Sequence, residues 1–382
     1  MRFRYSTEEN GKLVRRAAVY TQDEHNINFS DVDVQAIYIV DRLQSNGYET
    51  YIVGGAVRDL LLGKKPKDFD IVTAANPTKI KKIFRNARII GRRFRLVHVY
   101  FGPKIFEVST FRSMIEGPTG NTFGTVKEDV RRRDFSLNAL FYDPLKQIVV
   151  DYVDGMKDIR KRVIRPIIAM DDIFTDDPVR MIRAVKYSAA SGFKLPIFLK
   201  LKIRRQSQLL AGVSPSRLTE EIFKIIHSPH VLMIMKALDS LKLYCYLQPR
   251  AAELFKTKPG YKAKYLATMS MLNRDGFREP ATGADGVASR KELPGKALAA
   301  LVRDYLEDIV DWDGSRGSEQ VEHYKSAFSL ARKFVLPMNP PRTELDCALK
   351  LIFAEHGVPI KKTRFYDRNR RRPKMQTAFP IG

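Results

Sequence analysis

The chain has 382 residues and a formal net charge of +24 at pH 7, from 67 Lys and Arg against 43 Asp and Glu. Its 44% hydrophobic and 29% charged residues are typical of a folded protein and exclude a disordered one. Two cysteines, Cys245 and Cys347, exclude a disulfide framework and a cysteine-based zinc site, and fit a reducing cytoplasm. No run approaches about 18 apolar residues and the first ten residues have no apolar core, so we expect neither a membrane span nor a secretory signal. The basic excess predicts a polyanionic partner, most simply a nucleic acid.

Strand and helix patterns alternate up to about residue 165. We interpret residues 1–30 as an N-terminal arm and residues 31–165 as a mixed α/β domain. Apolar residues at helical spacing predict helices over 31–46, 56–62 and 77–84. Short β-branched or alternating runs predict strands over 51–53, 69–72, 87–90, 96–101 and 105–110, followed by a loop over 113–125.

Helical patterns dominate after Asp171. Residues 274–296 contain two prolines and four glycines, which predict an inserted loop within the helical part. The last segment, 361–382, holds eight Lys and Arg and one acid, and we expect it to be a basic, unpacked tail. The whole pattern predicts an α+β protein, with an α/β module followed by a long helical one.

The first motif that could take part in binding or catalysis is a glycine pair, at the point where a predicted strand turns into a helix. Gly54 and Gly55 allow close approach of a ligand to the backbone, and the helix start favours phosphate. Arg58, one turn later, could contact a phosphate oxygen. The alternative is a tight turn with a surface arginine.

Two carboxylates follow on the next predicted strand. Asp68 and Asp70 point to the same side of a strand, while Phe69 faces the core. Because like charges repel, the pair favours a cation between them, and Mg²⁺ prefers carboxylates together with substrate phosphates. The alternative is a solvated, acidic strand end.

A third acid interrupts a basic cluster before an apolar segment. Asp134 could supply a third carboxylate to a two-metal site, and Arg133 could contact a triphosphate. The alternative is that Asp134 is a helix N-cap.

A predicted helix after Pro178 carries acidic and basic residues one turn apart. Asp177, Arg180 and Arg183 share a face, and an acceptor beside a donor could read the Watson–Crick edge of a base. The alternative is an ordinary capped helix with ion pairs.

Together, the segments GGAVRD, DFD, RRDFSLNAL, DYVDGMKDI and DDPVRMIRA resemble the bacterial poly(A) polymerase and tRNA CCA-adding nucleotidyltransferase family over roughly residues 36–225. The resemblance implies a polymerase-beta-like nucleotidyltransferase head over 31–165 and an all-α remainder. This remainder comprises a nucleobase-reading, RNA-binding neck over 166–230 and a helical body and tail over 231–360. It also implies ATP as substrate, two Mg²⁺ ions as cofactors and RNA 3′ ends as partners.

The family's functional residues can be carried over to matching positions. The resemblance gives metal binding to Asp68 and Asp70, and catalysis to these two together with Asp134. Nucleotide binding falls to Gly54, Gly55, Arg58, Arg133, Asp177, Arg180, Arg183 and Lys186. Lys186 stands where the family has arginine and loses the planar fork. Asp176 stands where the motif usually has Glu, which puts base selection in doubt.

Residues 90–99, residues 20–25 and the basic tail resemble the poly(A) polymerase branch. We therefore expect addition of AMP to RNA 3′ ends, with roles in mRNA processing and turnover. RNA contacts are predicted for Arg92, Arg93, Arg95, Arg370, Arg371 and Arg372, although the tail could equally be a solvated terminus. One alternative is CCA or A addition to tRNA. Another is a catalytically decayed RNA-binding protein, which is disfavoured because every acid and arginine that the proposed chemistry needs is present. A small-molecule nucleotidyltransferase is disfavoured by the +24 charge.

Overall fold

The computed structural model describes residues 2–7, 13–91, 96–113, 122–275, 292–312, 319–358 and 360. The chain divides into two compact units, Met1–Gly212 and Val213–Gly382. The first unit combines strands and helices, and the described part of the second is helical. This composition confirms the predicted α+β class.

A nine-stranded sheet organises the first unit. Its strands are β1 (Arg2–Thr7), β2 (Leu13–Tyr20), β3 (Thr50–Val53), β4 (Asp70–Thr73), β5 (Ala87–Ile90), β6 (Leu96–Phe101), β7 (Lys104–Thr110), β8 (Leu140–Asp143) and β9 (Ile148–Asp151). Their order across the sheet is β1-β2-β9-β8-β3-β4-β7-β6-β5. Strands β4 and β7 run parallel, and the other neighbouring pairs are antiparallel.

The first unit also contains α-helices. They are α1 (Gln22–His25), α2 (Val34–Ser45), α3 (Gly55–Leu61), α4 (Pro77–Ile83), α5 (Val126–Arg131), α6 (Gly155–Lys161), α7 (Ile173–Asp176), α8 (Val179–Ser191) and α9 (Ile197–Gln206). Side-chain caps fix some of the helix starts: Asp33 accepts a hydrogen bond from the Gln35 amide, and Asn76 accepts one from the Lys79 amide. The predicted helices and strands between residues 31 and 110 are confirmed within a few residues.

The two faces of the sheet are covered differently. On one face, Ile71, Val97 and Val108 are fully buried, and α2 and α4 pack against β3 to β6. On the other face, Val126 and Val130 of α5 belong to the same core as the centre of the sheet, at β3 and β4. The β5–β6–β7 end of this second face carries half-buried and exposed side chains instead.

The N-terminal segment differs from the predicted arm. Strand β2 pairs with β9, with Ala18 opposite Asp151 and Tyr20 opposite Val149. Residues 17–20 are buried because this apolar run extends the sheet beyond β9. Residues 13–20 are thus part of the sheet, and treating them as an arm was wrong.

Eight helices form the described part of the second unit. They are α10 (Pro215–Ile226), α11 (Val231–Ser240), α12 (Tyr244–Leu247), α13 (Pro249–Thr257), α14 (Tyr261–Asp275), α15 (Glu292–Glu307), α16 (Gln320–Phe334) and α17 (Arg342–Glu355). Over the ranges described in both units, none of the helices is long and apolar enough to cross a membrane.

The predicted loop over 274–296 overlaps helices at both ends. Helix α14 continues to Asp275 and α15 already begins at Glu292, so both boundaries were wrong. Pro294 falls in the first turn of α15, where proline is tolerated. A Cβ at Gly295 would lie 2.9 Å from the Cβ of Cys347. The glycine therefore permits close packing of α15 against α17 and does not break the helix. Residues 276–291 lie outside the described residues.

Candidate active site

The glycine turn and the second carboxylate lie together at the ends of two neighbouring strands. Val53, the last residue of β3, pairs with Asp70, the first residue of β4. Gly54 adopts φ +73°, which favours glycine, and a Cβ there would lie 3.6 Å from Oδ2 of Asp70. The spacing of the two motifs in the sequence predicted this proximity.

Asp68 and Asp70 are both exposed, and Phe69 between them is buried. This alternation places the two carboxylates on one side of the chain, as expected for an extended segment. Within the described ranges, no three acidic, histidine or cysteine side chains converge as a metal site. Two carboxylates nevertheless suit Mg²⁺, which often takes one or two of them plus substrate phosphates and water. The donors present therefore fit the predicted metal.

Glu107 is a further acid beside this pair that the sequence analysis missed. Ile71 of β4 pairs with Val108 of β7 in parallel, so Asp70 and Glu107 precede this pair on adjacent strands about 4.8 Å apart. The Glu107 side chain is 53% exposed. Only the strand order reveals this neighbour, because Glu107 lies 37 positions after Asp70 in the sequence.

Arg58 is held beside the glycine turn by two neighbours. Its Nε and Nη2 lie 2.9 and 2.8 Å from Oδ1 of Asp59, and its Nη1 donates to Oδ1 of Asn138 at 3.0 Å. The guanidinium also lies 3.5 Å from where a Cβ of Gly55 would be. A positive charge is therefore fixed at the turn, as a phosphate contact would require.

Arg133 is fixed in a similar way. Its Nε and Nη2 donate to Oδ2 of Asp129 at 3.1 and 2.8 Å, and its Nη1 donates to the Asn138 carbonyl at 3.0 Å. Asn138 thus joins Arg58 to Arg133, a role that the sequence analysis did not assign. The triphosphate contact of Arg133 stays a prediction, because its donors already have protein partners here.

Positive charge is concentrated around Arg133. Burial lowers the pKa of Arg112, and the nearby charges of Arg132 and Arg133 lower it further, while Asp129 opposes them. An arginine stays protonated at neutral pH even so. The cluster therefore presents a fixed cationic environment, which Asn138 links to Arg58 beside the glycine turn.

Asp134 contacts two arginines of α8. Its Oδ1 accepts from Nε of Arg180 at 2.9 Å, and its Oδ2 accepts from Nη1 of Arg183 at 2.9 Å. The N-cap alternative is wrong, because Phe135 stands at the start of the helical turn 136–138 and no side chain caps it. These contacts favour a role in positioning the arginines. A third metal carboxylate stays a prediction.

Helix α8 directs one face toward this network. Arg180, Arg183 and Tyr187 recur at intervals of three and four residues, so they share that face. The Tyr187 ring centroid lies 5.6 Å from Cζ of Arg58 and 5.5 Å from Nζ of Lys186. Tyr187 was missed because its aromatic ring resembles an ordinary core residue in the sequence. Its position between two cations makes it a candidate site residue.

Asp177 and the six arginines predicted to contact RNA are the remaining residues of the predicted site. Oδ1 of Asp177 accepts a hydrogen bond from the Val179 amide at 3.1 Å, at the start of α8. A base-reading role for Asp177 stays a prediction. The six arginines predicted to contact RNA, in 92–95 and 370–372, lie outside the described residues.

Two family models match the chain. Residues 50–165 match the model described as the poly A polymerase head domain. Residues 192–255 match the model described as a probable RNA and SrmB-binding site of polymerase A.

Curated relatives belong to two enzyme groups. Poly(A) polymerase I of Escherichia coli O157:H7 is 41% identical over 256 residues, covering 63% of this chain and 55% of that protein. Poly(A) polymerase I of Haemophilus influenzae is 36% identical over 272 residues, with 66% and 59% covered. The CCA-adding enzyme of Geobacillus kaustophilus is 35% identical over 228 residues, with 58% and 56% covered. The chain spans little more than half the length of these relatives.

Solved structures share the fold. The CCA-adding enzyme of Bacillus stearothermophilus in complex with CTP has 26% identity and a TM-score of 0.53, with 84% of this chain and 82% of that chain covered. The Thermotoga maritima CCA-adding enzyme complexed with tRNA has 19% identity and a TM-score of 0.51, with 89% and 84% covered. The second likeness concerns the fold alone.

Proposed function

The chain belongs to the poly(A) polymerase and CCA-adding nucleotidyltransferase family, and on that premise we propose that it adds AMP residues from ATP to RNA 3′ ends without a template. The observation that carries the proposal is the proximity of the glycine turn to the carboxylate, with Asp70 beside Gly54. A phosphate cradle next to exposed carboxylates is the arrangement that nucleotidyl transfer needs.

In the proposed reaction, the 3′ oxygen of the RNA forms a bond to the α-phosphorus of ATP. The bond from that phosphorus to the oxygen bridging the α- and β-phosphates breaks, and pyrophosphate leaves with its electron pair. The 3′-hydroxyl proton passes to solvent or to a carboxylate. Each cycle lengthens the RNA by one AMP.

Asp68 and Asp70 would hold Mg²⁺, as two ions in the proposed reaction. When bound, Mg²⁺ supplies activation of the attacking hydroxyl and neutralisation of charge on the phosphates. The fit rests on two exposed, adjacent carboxylates, which are the hard oxygen donors that Mg²⁺ prefers.

The remaining site residues would orient the nucleotide. Arg58 and Arg133 supply fixed positive charge, since other side chains hold both guanidinium groups in place. Asp134 positions Arg180 and Arg183, which with Asp177 and Lys186 would face the base. Because Lys186 lacks the planar fork of arginine, we expect it to contribute charge and no bidentate recognition.

Poly(A) synthesis is the preferred branch. The poly(A) polymerase relatives are 36–41% identical and the CCA-adding relatives 33–35%. CCA addition to tRNA is the second candidate, and the fold likeness to CCA-adding enzymes favours it. A decayed RNA-binding protein is disfavoured because the acids Asp68, Asp70 and Asp134 are all present. A cytoplasmic role in mRNA processing, turnover and transcript metabolism follows from the first branch.

Nucleotide extension on two RNAs tests the proposal. One RNA is a generic oligonucleotide and the other a tRNA lacking its 3′ CCA, each offered ATP alone, CTP alone, and both, with magnesium. We expect long tails from ATP alone on the generic RNA. Addition that stops after C, C and A on the tRNA would move the protein to the other branch. RNA that stays unextended under every condition would contradict enzymatic function.

A further inference from the structure

A row of polar side chains crosses the sheet from its edge to the candidate site. Arg88 of β5 pairs with His98 of β6, and His98 pairs with Glu107 of β7. Glu107 in turn lies beside Asp70 of β4, one residue before the pair Ile71 and Val108. Because paired residues point to the same face of a sheet, these four side chains form one row, which we call the polar row.

The polar row lies on the open end of its face. The alternate residues of β6, Val97 and Val99, are fully buried on the opposite face. On the open face, side chains are 21% exposed for His98 and 53% exposed for Glu107. The α5 core residues lie with the centre of the sheet at β3 and β4, which leaves the β5–β7 end accessible.

Tyr100 joins this surface two residues after His98. Its ring centroid lies 6.3 Å from that of His98, and Cζ of Arg88 lies 5.7 Å from the Tyr100 ring. Nε2 of His98 lies 3.6 Å from Oε1 of Glu107. Among the described residues, Arg88 has no carboxylate partner, so its charge is available to a ligand. Two rings and a guanidinium are therefore held together at the edge of the sheet.

This combination suits single-stranded RNA. Unstacked bases pack on aromatic or histidine rings carried by a sheet, and arginine binds the phosphates between them. His98 is two strands away from Asp70, about 10 Å at the usual strand spacing. When a 3′ end reacts at Asp70, this distance places the rings of His98 and Tyr100 beside the nucleotides that precede that end.

We propose that Arg88, His98 and Tyr100 bind the last nucleotides of the acceptor RNA. Bases stack on His98 and Tyr100, and Arg88 contacts the phosphates. The acidic end of the row repels phosphate, so the RNA backbone lies toward Arg88. The 3′ terminus lies toward Asp70, where the proposed reaction takes place. Glu107 is a positioning residue that orients His98. The inference rests on the proposed function, because it places the acceptor of that same reaction.

Steady-state kinetics of Tyr100→Leu separate RNA binding from ATP binding. We expect the KM for an oligoadenylate to rise about tenfold, the scale of one lost base stack, with the KM for ATP and kcat nearly unchanged. Tyr100→Phe keeps the ring and restores the RNA KM. Tyr38→Leu is the matched control, since Tyr38 is 48% exposed on α2 and outside the polar row. An unchanged RNA KM, or a rise in the ATP KM instead, would overturn the proposal.

Arg88→Ala gives an independent variant if Tyr100→Leu does not fold, because Arg88 is exposed on the edge strand. It should raise the RNA KM severalfold and reduce the slope of log affinity against log salt by about 0.7, one phosphate contact on a single strand. An unchanged slope and an unchanged RNA KM would count against the phosphate role of Arg88.

Photo-crosslinking without ATP distinguishes failure of this inference from failure of the proposed function. An oligoadenylate with 4-thiouridine at its penultimate position should crosslink to the peptide containing residues 96–101. Crosslinking there by a protein that extends no RNA would support the binding surface and contradict the proposed function. Extension of RNA with crosslinks confined to other peptides would support the function and overturn the binding surface.

Discussion

Asp134 in the first unit is partly buried and Asp304 in the second is buried, and their surroundings differ. Asp134 accepts hydrogen bonds from two guanidinium groups, those of Arg180 and Arg183. Asp304 is 1% exposed and accepts from Oγ1 of Thr268 at 3.0 Å, while its Oδ2 has no hydrogen-bond partner in the described part of the chain. Burial therefore raises the pKa of Asp304.

The same contrast extends to the neighbours of the two acids. Around Asp304 the second unit packs tyrosines: the hydroxyls of Tyr244 and Tyr265 lie 2.9 Å apart, and burial raises the pKa of both. The first unit keeps its charges paired and partly accessible near the candidate site, where nucleotide chemistry needs them. The second unit keeps tyrosine hydroxyls and the Asp304 carboxyl inside an aromatic core, an arrangement that supports structure. We infer that catalysis belongs to the first unit.

The largest expected effect comes from the metal carboxylates. Asp68→Asn or Asp70→Asn should lower the rate of AMP incorporation by about 1,000-fold or more, since several kcal/mol of charge stabilisation are lost. Single-turnover extension of a labelled RNA measures the rate. Asp41→Asn, an exposed acid on α2, is the control and should retain full activity. Retention of more than a few per cent of the wild-type rate would contradict the assignment of both acids as metal ligands.

Asp134→Asn should have the next largest effect. One of its two arginines loses a charged acceptor, so we expect incorporation to fall about 100-fold through misplacement of the α8 face. Unfolding free energy should fall by about 2 kcal/mol, because the lost hydrogen bond was to a charged group. Urea denaturation and extension assays measure the two effects.

The control for Asp134→Asn is Asp171→Asn. Asp171 forms an ion pair with Lys202, and its side chain is 98% exposed, so little change is expected in stability or rate. Equal effects of the two substitutions would show that the ion pairs of Asp134 with Arg180 and Arg183 have no special role.

Removal of residues 361–382 should affect RNA affinity and leave nucleotide chemistry intact. The segment carries eight Lys and Arg, so each lost phosphate contact should reduce the slope of log affinity against log salt by about 0.7. Fluorescence anisotropy at several salt concentrations measures the slope. An unchanged slope would refute RNA binding by the tail, and a large fall in kcat would contradict the assignment of catalysis to the first unit.

The smallest effect concerns the pH dependence of the second unit. Because the pKa of Asp304 is raised in the folded state, the folded protein holds a proton that the unfolded chain releases above its ordinary pKa of 3.8. The contribution of Asp304 to stability is therefore present at low pH and is lost as pH rises through the folded pKa. Because asparagine does not ionise, Asp304→Asn avoids this loss of stability. It should raise the unfolding free energy of the unit by about 1 kcal/mol at pH 8.

Fluorescence of the single tryptophan, Trp312, reports on this change, since it stacks on His356 within the second unit with ring centroids 3.8 Å apart. Denaturation from pH 4 to pH 8 should show a steeper loss of stability for the wild type than for Asp304→Asn. Parallel curves would mean that the charge on Asp304 does not oppose folding.

Local patterns predicted the parts of the site that depend on neighbouring residues. The strand before Gly54, the strand containing Asp70 and the helix over 179–191 follow from apolar spacing and from glycine and proline. The pairing of the two strands brings Asp70 to Gly54. The spacing of Asp68 and Asp70 suggested a metal site and the resemblance supported it, and both roles stay predictions.

Residues that depend on distant pairing were missed. Glu107 lies beside Asp70 only because β7 pairs in parallel with β4, and Asn138 joins two arginines through a turn 80 residues from Arg58. Gly295 was taken as a helix breaker because the close approach of Cys347 is a property of packing and not of local propensity. Strand register and helix packing therefore determine the positions of these residues, and local sequence patterns do not reveal either.

The most direct test of nucleotidyl transfer by the first unit compares products within one reaction. Purified protein, ATP, magnesium and an end-labelled RNA are incubated together, and the pyrophosphate released is counted against the nucleotides added to the RNA. We predict one pyrophosphate for each AMP added by the wild type, and neither product from Asp70→Asn. ATP consumption without RNA extension, or release of orthophosphate in place of pyrophosphate, would contradict the account.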